Sequence, residues 1–128
     1  MLITVGAPLT RRFVRLTGQK STNPPASPGG HVDHGETSLE AAARELAEET
    51  GVTVTADDLR QIGVWDAPER DPRGRYVTVA YVTVVPVDTT ITAGDDARTA
   101  HWWPLDDLPE RLAFDHAAIL RAAVASTL

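Results

Sequence analysis

Residues 30–52 read GHVDHGETSLEAAARELAEETGV, and this segment constrains the chain more than any other. Glu36, Glu40, Arg44, Glu45, Glu48 and Glu49 crowd into it, and Gly51 closes it. Thr37 and Glu40 have the T-x-x-E spacing of a capping box, the alanine-rich run over 41–47 favours helix, and Gly51 sits where a left-handed glycine ends one. The spacing therefore predicts a helix beginning at Thr37. On it Glu45, Glu48 and Glu49 fall at i, i+3 and i+4, so three carboxylates share one face. Like charges this close repel, and a helix that stacks them has a cation to hold. Leu39, Ala43, Leu46 and Thr50 lie to another side and are expected to pack.

Around this helix the chain alternates strand and loop signals. Residues 1–5 and 11–16 (RRFVRL) read as short strands, and 17–30 as loop, being rich in Ser, Pro and Gly. Residues 59–66 (LRQIGVWD) form a further expected strand, 67–75 (APERDPRGR) a turn-rich loop, and 76–87 (YVTVAYVTVVPV) the clearest strand signal. After a loop over 88–97, a strand is expected at 98–104 (RTAHWWP), then a turn near 106–109. A last helix is expected over 116–125, capped by Asp115. Several strands with one internal and one terminal helix fit an α/β (α+β) chain with a mixed sheet and helices on both faces, better than a β-sandwich or a bundle. At 128 residues a single domain is expected.

Hard divalent ions such as Mg²⁺ and Mn²⁺ prefer oxygen ligands, commonly a few carboxylates plus substrate phosphate oxygens. Three glutamates beside a glycine-rich loop suit that chemistry, and the carbonyls of Gly29 or Gly30 can approach an ion because no side chain intervenes. Arg44, with Glu40 at i−4 and Glu48 at i+4, is placed to fix the carboxylate rotamers. A charged, solvated helix face is the commoner fate of such a composition; the full spacing weighs against it.

Written strictly, the segment is G-x5-E-x7-R-E-L-x-E-E-x-G-V, running from Gly30 through Glu36, Arg44, Glu45, Leu46, Glu48 and Glu49 to Gly51 and Val52. It resembles the Nudix box at every defined position, and the expected element order also resembles that fold. The resemblance implies a Nudix-type α/β/α sandwich over 1–128 in which the box, 30–52, forms a loop–helix–loop. It implies hydrolysis of a nucleoside diphosphate linked to another moiety. By that analogy Glu48 and Glu49 ligate Mg²⁺, with Mn²⁺ as the alternative ion. Glu45 is a ligand or the base for water, Gly29 offers a carbonyl ligand, and Gly30, Glu36, Arg44 and Gly51 support the site.

Two looser stretches resemble the bacterial ADP-ribose pyrophosphatase-like group. One is Arg70-Asp71-Pro72-Arg73-Gly74 with Val77-Thr78-Val79-Ala80-Tyr81. The other runs from Ala93-Gly94-Asp95-Asp96-Ala97 through Trp102-Trp103-Pro104-Leu105 to Leu112-Ala113-Phe114-Asp115-His116. Arg70 and Arg73 are candidates for phosphate or ribose contact, against a polar hairpin loop. Asp95 and Asp96 are candidates for a further carboxylate, against plain turn residues. Trp65, Trp102 and Trp103 offer stacking surfaces for adenine, against core packing. His31 and His34 are read as loop residues near the site, and Phe13 and Tyr81 as core. Residues 18–30, GQKSTNPPASPGG, depart from the family pattern by lacking an aromatic or apolar strand before Pro28. The departure bears on nucleobase recognition and on oligomeric state.

The most direct function is therefore a metal-dependent pyrophosphohydrolase acting on ADP-ribose or a similar nucleotide sugar. The rivals are a MutT-type nucleoside triphosphate pyrophosphohydrolase and a non-catalytic nucleotide sensor. Sensors resembling this group carry an added DNA-binding domain, for which a chain ending at Leu128 leaves no room. A net charge of −6, with 11 arginines and one lysine scattered, speaks against nucleic-acid binding. No apolar run approaches the ~20 residues that span a bilayer, and residues 1–12 lack a signal-peptide core. The absence of cysteine excludes disulfides and thiolate metal sites and suits the cytoplasm. A homodimer is compatible with the chain, though no apolar stripe demands one.

Overall fold

Valine, threonine and tyrosine dominate TVAYVTVV, and this strand, Thr78–Val85, lies inside the sheet with both faces covered for most of its length. In the computed structural model, residues 2–6, 12–17, 30–72, 74–86, 88–92, 99–104 and 116–127 are described. The strands are β1 (Leu2–Gly6), β2 (Arg12–Thr17), β3 (Arg60–Trp65), β4 (Thr78–Val85) and β5 (Thr99–Pro104), and the helices α1 (Ser38–Thr50) and α2 (His116–Thr127). The sheet order is β3-β4-β1-β2-β5. Among the described residues only the β1–β4 pairing is parallel, with Leu2 beside Tyr81 and Gly6 beside Val85; β3–β4, β1–β2 and β2–β5 are antiparallel. The sheet is therefore mixed, as expected.

The expected strands and helices all form, with ends shifted by one or two residues. The strand expected over 76–87 is trimmed to 78–85. A short 3-10 turn at Ala56–Asp58, closed by the carboxylate of Asp58 on the Thr55 N–H, was not legible in the pattern.

Alternation on β4 divides the core in two. Tyr81 and Val85 on one face join Ala42 and Leu46 of α1, together with Val52 and Leu59, in a buried cluster, and Val79 and Trp102 pack against it. Leu46 is wholly buried, which contributes about 2–3 kcal/mol by transfer from water. Of the side chains expected to pack, Leu46 and Thr50 are buried, whereas Leu39 and Ala43 are only half-buried. Ala41 and Ala42 are buried as well, Ala42 within the cluster on β4.

Ala80 and Val82 point to the opposite face and are buried too. Arg60 lies directly across from Val82 and so shares that face. Its guanidinium donates to the carbonyl of Ser126 in the last turn of α2, where carbonyls lack helical partners and a cation is favoured. Helix α2 therefore covers this second face, with Ile119, Leu120 and Ala123 fully buried. On the same face the Trp65 ring folds over Gly63, where an added Cβ would lie 2.9 Å from the ring. Trp65 and Trp102 both take packing positions, and the Trp102 indole N–H donates to the Thr89 carbonyl at 3.0 Å. Among the described residues, no helix is long and apolar enough to cross a membrane.

Both ends of α1 are closed as the sequence predicts. The Thr37 hydroxyl accepts from the Glu40 N–H at 3.1 Å and the Glu40 carboxylate from the Thr37 N–H at 2.7 Å. At the other end Gly51 adopts φ +74° and donates its N–H to Ala47. A Cβ there would meet no neighbour, so strain is purely conformational. Gly51→Ala is expected to cost about 1 kcal/mol and to lower the melting temperature by about 3–5 °C, measured by thermal unfolding.

Candidate active site

Arg44 is the centre of the site. It leaves α1 toward the loop that precedes the helix, and its side chain is about 28% exposed. Nη2 and Nε grip the two oxygens of Glu36 at 2.6 and 3.2 Å, the bidentate geometry that a planar guanidinium allows. Nη1 meets Glu45 Oε1 at 2.7 Å and Glu48 Oε2 at 3.2 Å. Nη2 also donates to the His31 carbonyl at 3.0 Å and lies 3.4 Å from Asp33. One cation thus organises four carboxylates and a backbone oxygen.

This pattern corrects one expectation. Glu40, four residues before Arg44, does not pair with it, because its carboxylate is committed to the Thr37 N–H in the cap. Glu36, from outside the helix, takes that part. Glu36 is held in turn by the Asp33 N–H at 2.7 Å, so the loop over 31–36 is tied to the helix at both main chain and side chain. The contributions of the His31 carbonyl and Asp33 could not be read in the sequence, since they depend on how the loop folds back.

Electrostatics follow the same contacts. The Arg44 hydrogen bond, and then the Asp33 N–H, hold the Glu36 carboxyl below the ordinary carboxylate range. Glu36, and then Glu45, push Arg44 further up, so it stays charged throughout the working range.

Glu45 is mostly covered and Glu48 mostly exposed, at 16% and 59% of their side chains. Glu49 follows on the same helix and is half-buried. Against Glu45 stands Gly30: a Cβ built on it would collide with the Glu45 carboxyl carbon and lie 2.7 Å from Oε2. Only glycine lets the loop backbone come this close while Glu45 keeps its bond to Arg44. Among the described residues, no three His, Asp or Glu side chains are gathered tightly enough to cage an ion. Glu45 and Glu48 converge instead on the Arg44 guanidinium. All the donors at this place are oxygens, and Gly30 keeps the approach to Glu45 open, so the donor set suits a hard divalent ion rather than a soft one.

Other expected residues fall in two groups. Arg70 lies in the β3–β4 loop, half-buried, and its Nη1 donates to the Tyr76 carbonyl at 3.4 Å. His31 is exposed and in the site loop, with its ring stacked on Tyr76. Tyr81 is core, with its hydroxyl 2.6 Å from Ser38 Oγ at the start of α1. Gly29, Arg73, Asp95 and Asp96 lie outside the described residues.

Because Glu36 titrates lower in the folded chain than its ordinary 4.5, it stabilises the fold fully above that pH, and the stabilisation is lost as pH falls through the lower, folded value. The stability gap between wild type and Glu36→Gln should therefore be constant at pH 6–7 and close on acidification. Urea unfolding from pH 7 down to pH values below the ordinary carboxylate range measures it.

A family model described as NUDIX domain matches residues 2–123. Over 96 residues the chain is 43% identical to an ADP-ribose pyrophosphatase of Methanocaldococcus jannaschii, covering 75% of this chain and 54% of that protein. Among solved structures, a MutT/nudix family protein from Enterococcus faecalis is similar with a TM-score of 0.83 at 28% identity, covering 95% of this chain and 58% of that one. The NUDIX domain of Shewanella oneidensis NrtR, complexed with ADP ribose, gives a TM-score of 0.82 at 25% identity, covering 99% and 85%. The chain thus spans little more than half the length of the archaeal and enterococcal proteins. With the family match running through nearly every residue and the box folded as loop–helix–loop around Arg44, the chain belongs to the Nudix family.

Proposed function

We propose that this chain is a divalent-metal-dependent pyrophosphohydrolase that cleaves ADP-ribose or a similar nucleotide sugar. The observation that carries the reading is the convergence of Glu45 and Glu48 on Arg44 beside Gly30. The archaeal relative named ADP-ribose pyrophosphatase supports the substrate class. So does the likeness to a domain solved with ADP ribose. Water adds across one P–O–P bridge, giving a nucleoside monophosphate and a sugar phosphate.

Glu45, Glu48 and Glu49 would hold Mg²⁺ or Mn²⁺, with the Gly29 carbonyl as a further ligand. A bound divalent ion supplies charge neutralisation of the pyrophosphate and a more acidic water. The chain's own residues do the rest. Arg44 fixes the Glu45 and Glu48 rotamers in advance, so their order does not have to be created when substrate arrives. Glu36 and the His31 carbonyl fix Arg44. Glu45, as the most covered of the pinned carboxylates, is placed to hold the attacking water or take its proton. Arg70 supplies a cation from a separate loop for the distal phosphate or ribose, with Arg73 a second; Asp95 and Asp96 are proposed as further carboxylates. A cytoplasmic setting suits such a substrate.

Binding of ADP-ribose without cleavage is a second reading, favoured by the NrtR domain complex. A hydrolysis screen over ADP-ribose, NADH, diadenosine polyphosphates and oxidised dGTP, with and without Mg²⁺, separates the possibilities. The expected result is Mg²⁺-dependent release of AMP and ribose 5-phosphate from ADP-ribose. Tight ADP-ribose binding with no AMP released would overturn the hydrolase in favour of the binder, and preference for oxidised dGTP would indicate the MutT-type rival.

Two variants test the site. Glu49→Gln is expected to lose roughly a hundredfold or more in kcat; an unchanged rate would remove Glu49 from the site. Gly30→Ala must push Glu45 off Arg44, so kcat/KM should fall ten- to about a hundredfold while the melting temperature moves little.

A further inference from the structure

Two loops meet beside the carboxylate helix. One, over 30–37, carries His31; the other, between β3 and β4 and described over 66–72 and 74–77, carries Arg70 and Tyr76. The rings of His31 and Tyr76 stack with centroids 5.7 Å apart and planes 8° from parallel. Each member of this pair is also bonded through its own main-chain carbonyl to an arginine of the site. His31 accepts from Arg44 Nη2 at 3.0 Å, and Tyr76 accepts from Arg70 Nη1 at 3.4 Å. A continuous path therefore runs from Arg70 through the two rings to Arg44 and on to Glu45 and Glu48.

The stack is not a core contact. His31 is exposed and Tyr76 half-buried, neither joins the buried cluster around Leu46, and their neighbours Val32 and Val77 are 52% and 62% exposed. Burial alone gives the rings little reason to pair here. The Arg70 loop, moreover, is ordered within itself. The Arg70 N–H donates to the Ala67 carbonyl and the Gly74 N–H to that of Asp71, while Asp71 is buried. The stack adds a contact from this loop to the loop over 30–37.

We infer that His31 and Tyr76 are positioning residues: their stack sets the Arg70 loop at a fixed place relative to Arg44, so that the group gripping the distal part of the substrate and the group ordering the carboxylates keep register. The inference rests on the pyrophosphohydrolase reading above, and it adds a determinant of substrate length. A pyrophosphate whose distal group is held by Arg70 reaches the carboxylates in line only if the two loops keep this separation.

The test combines kinetics with substrate-free NMR of the full chain. Tyr76→Ala should raise KM for ADP-ribose about five- to tenfold and lower kcat a few-fold. His31→Ala should do the same, the double variant should be no worse than either, and Tyr76→Phe, which keeps the ring, should restore both parameters. Without substrate, the His31 ring protons should be shifted upfield by Tyr76 and move downfield in Tyr76→Ala, and the Arg44 Nε–H resonance should move with them. Wild-type KM and kcat in a folded Tyr76→Ala variant would overturn the proposal, as would an Arg44 resonance that stays put. If the wild type cleaves none of the substrates, the hydrolase reading fails by itself. The Arg44 resonance then still decides the coupling: movement supports it and constancy overturns it.

Discussion

The ion pair between Arg44 and Glu36 is the contact on which the rest of the site depends. It crosses from helix to loop, is bidentate, and has its shorter arm at 2.6 Å. Besides it, the loop over 31–36 is joined to α1 by the cap at Thr37 and by the contacts of Arg44 with the His31 carbonyl and Asp33. With it, Nη1 of the same guanidinium is aimed at Glu45 and Glu48, and Nη2 at the His31 carbonyl. A lysine could not substitute, since a single ammonium has neither the planar fork nor its fixed spread of donors. The clustered carboxylates call for a cation, and the fold supplies one from within before any ion is considered.

The sheet serves this arrangement by holding α1 still. Leu46 and Ala42 pack on Tyr81 and Val85, and the Tyr81 hydroxyl meets Ser38 at the first turn. Thr50, buried at the last turn, returns its hydroxyl proton to the Leu46 carbonyl and accepts from the Val52 N–H. The helix is thus fastened along its length by packing and at each end by satisfied polar groups, so Arg44 and the glutamates project from a rigid base. On the far face α2 completes the sandwich, and Arg60 pins its last turn.

Much of this was readable in advance where the pattern is local. The capping box, the closing glycine, the alternation along β4 and the three glutamates on one helix depend on spacings of two to five residues, and spacing is what a sequence displays. What escaped was non-local or competitive. Glu40 had two possible partners, and it closes the cap on the Thr37 N–H at 2.7 Å. Thr55 and Asp58 close a 3-10 turn too short to leave a periodic signature. The pairing of Arg60 with Ser126 joins residues 66 positions apart, and no spacing rule connects them.

The sequence alone determined that residues 30–52 contain a capped helix with a glutamate face, a reading that needed only helical periodicity and the chemistry of Thr, Glu and Gly. Only the tertiary structure decided which carboxylates Arg44 holds, that Gly30 lies against Glu45, and that the Arg70 loop is joined to the site through His31 and Tyr76. These contacts depend on the paths of loops, and a loop's path is set by closure, packing and the satisfaction of backbone polar groups rather than by a repeating pattern.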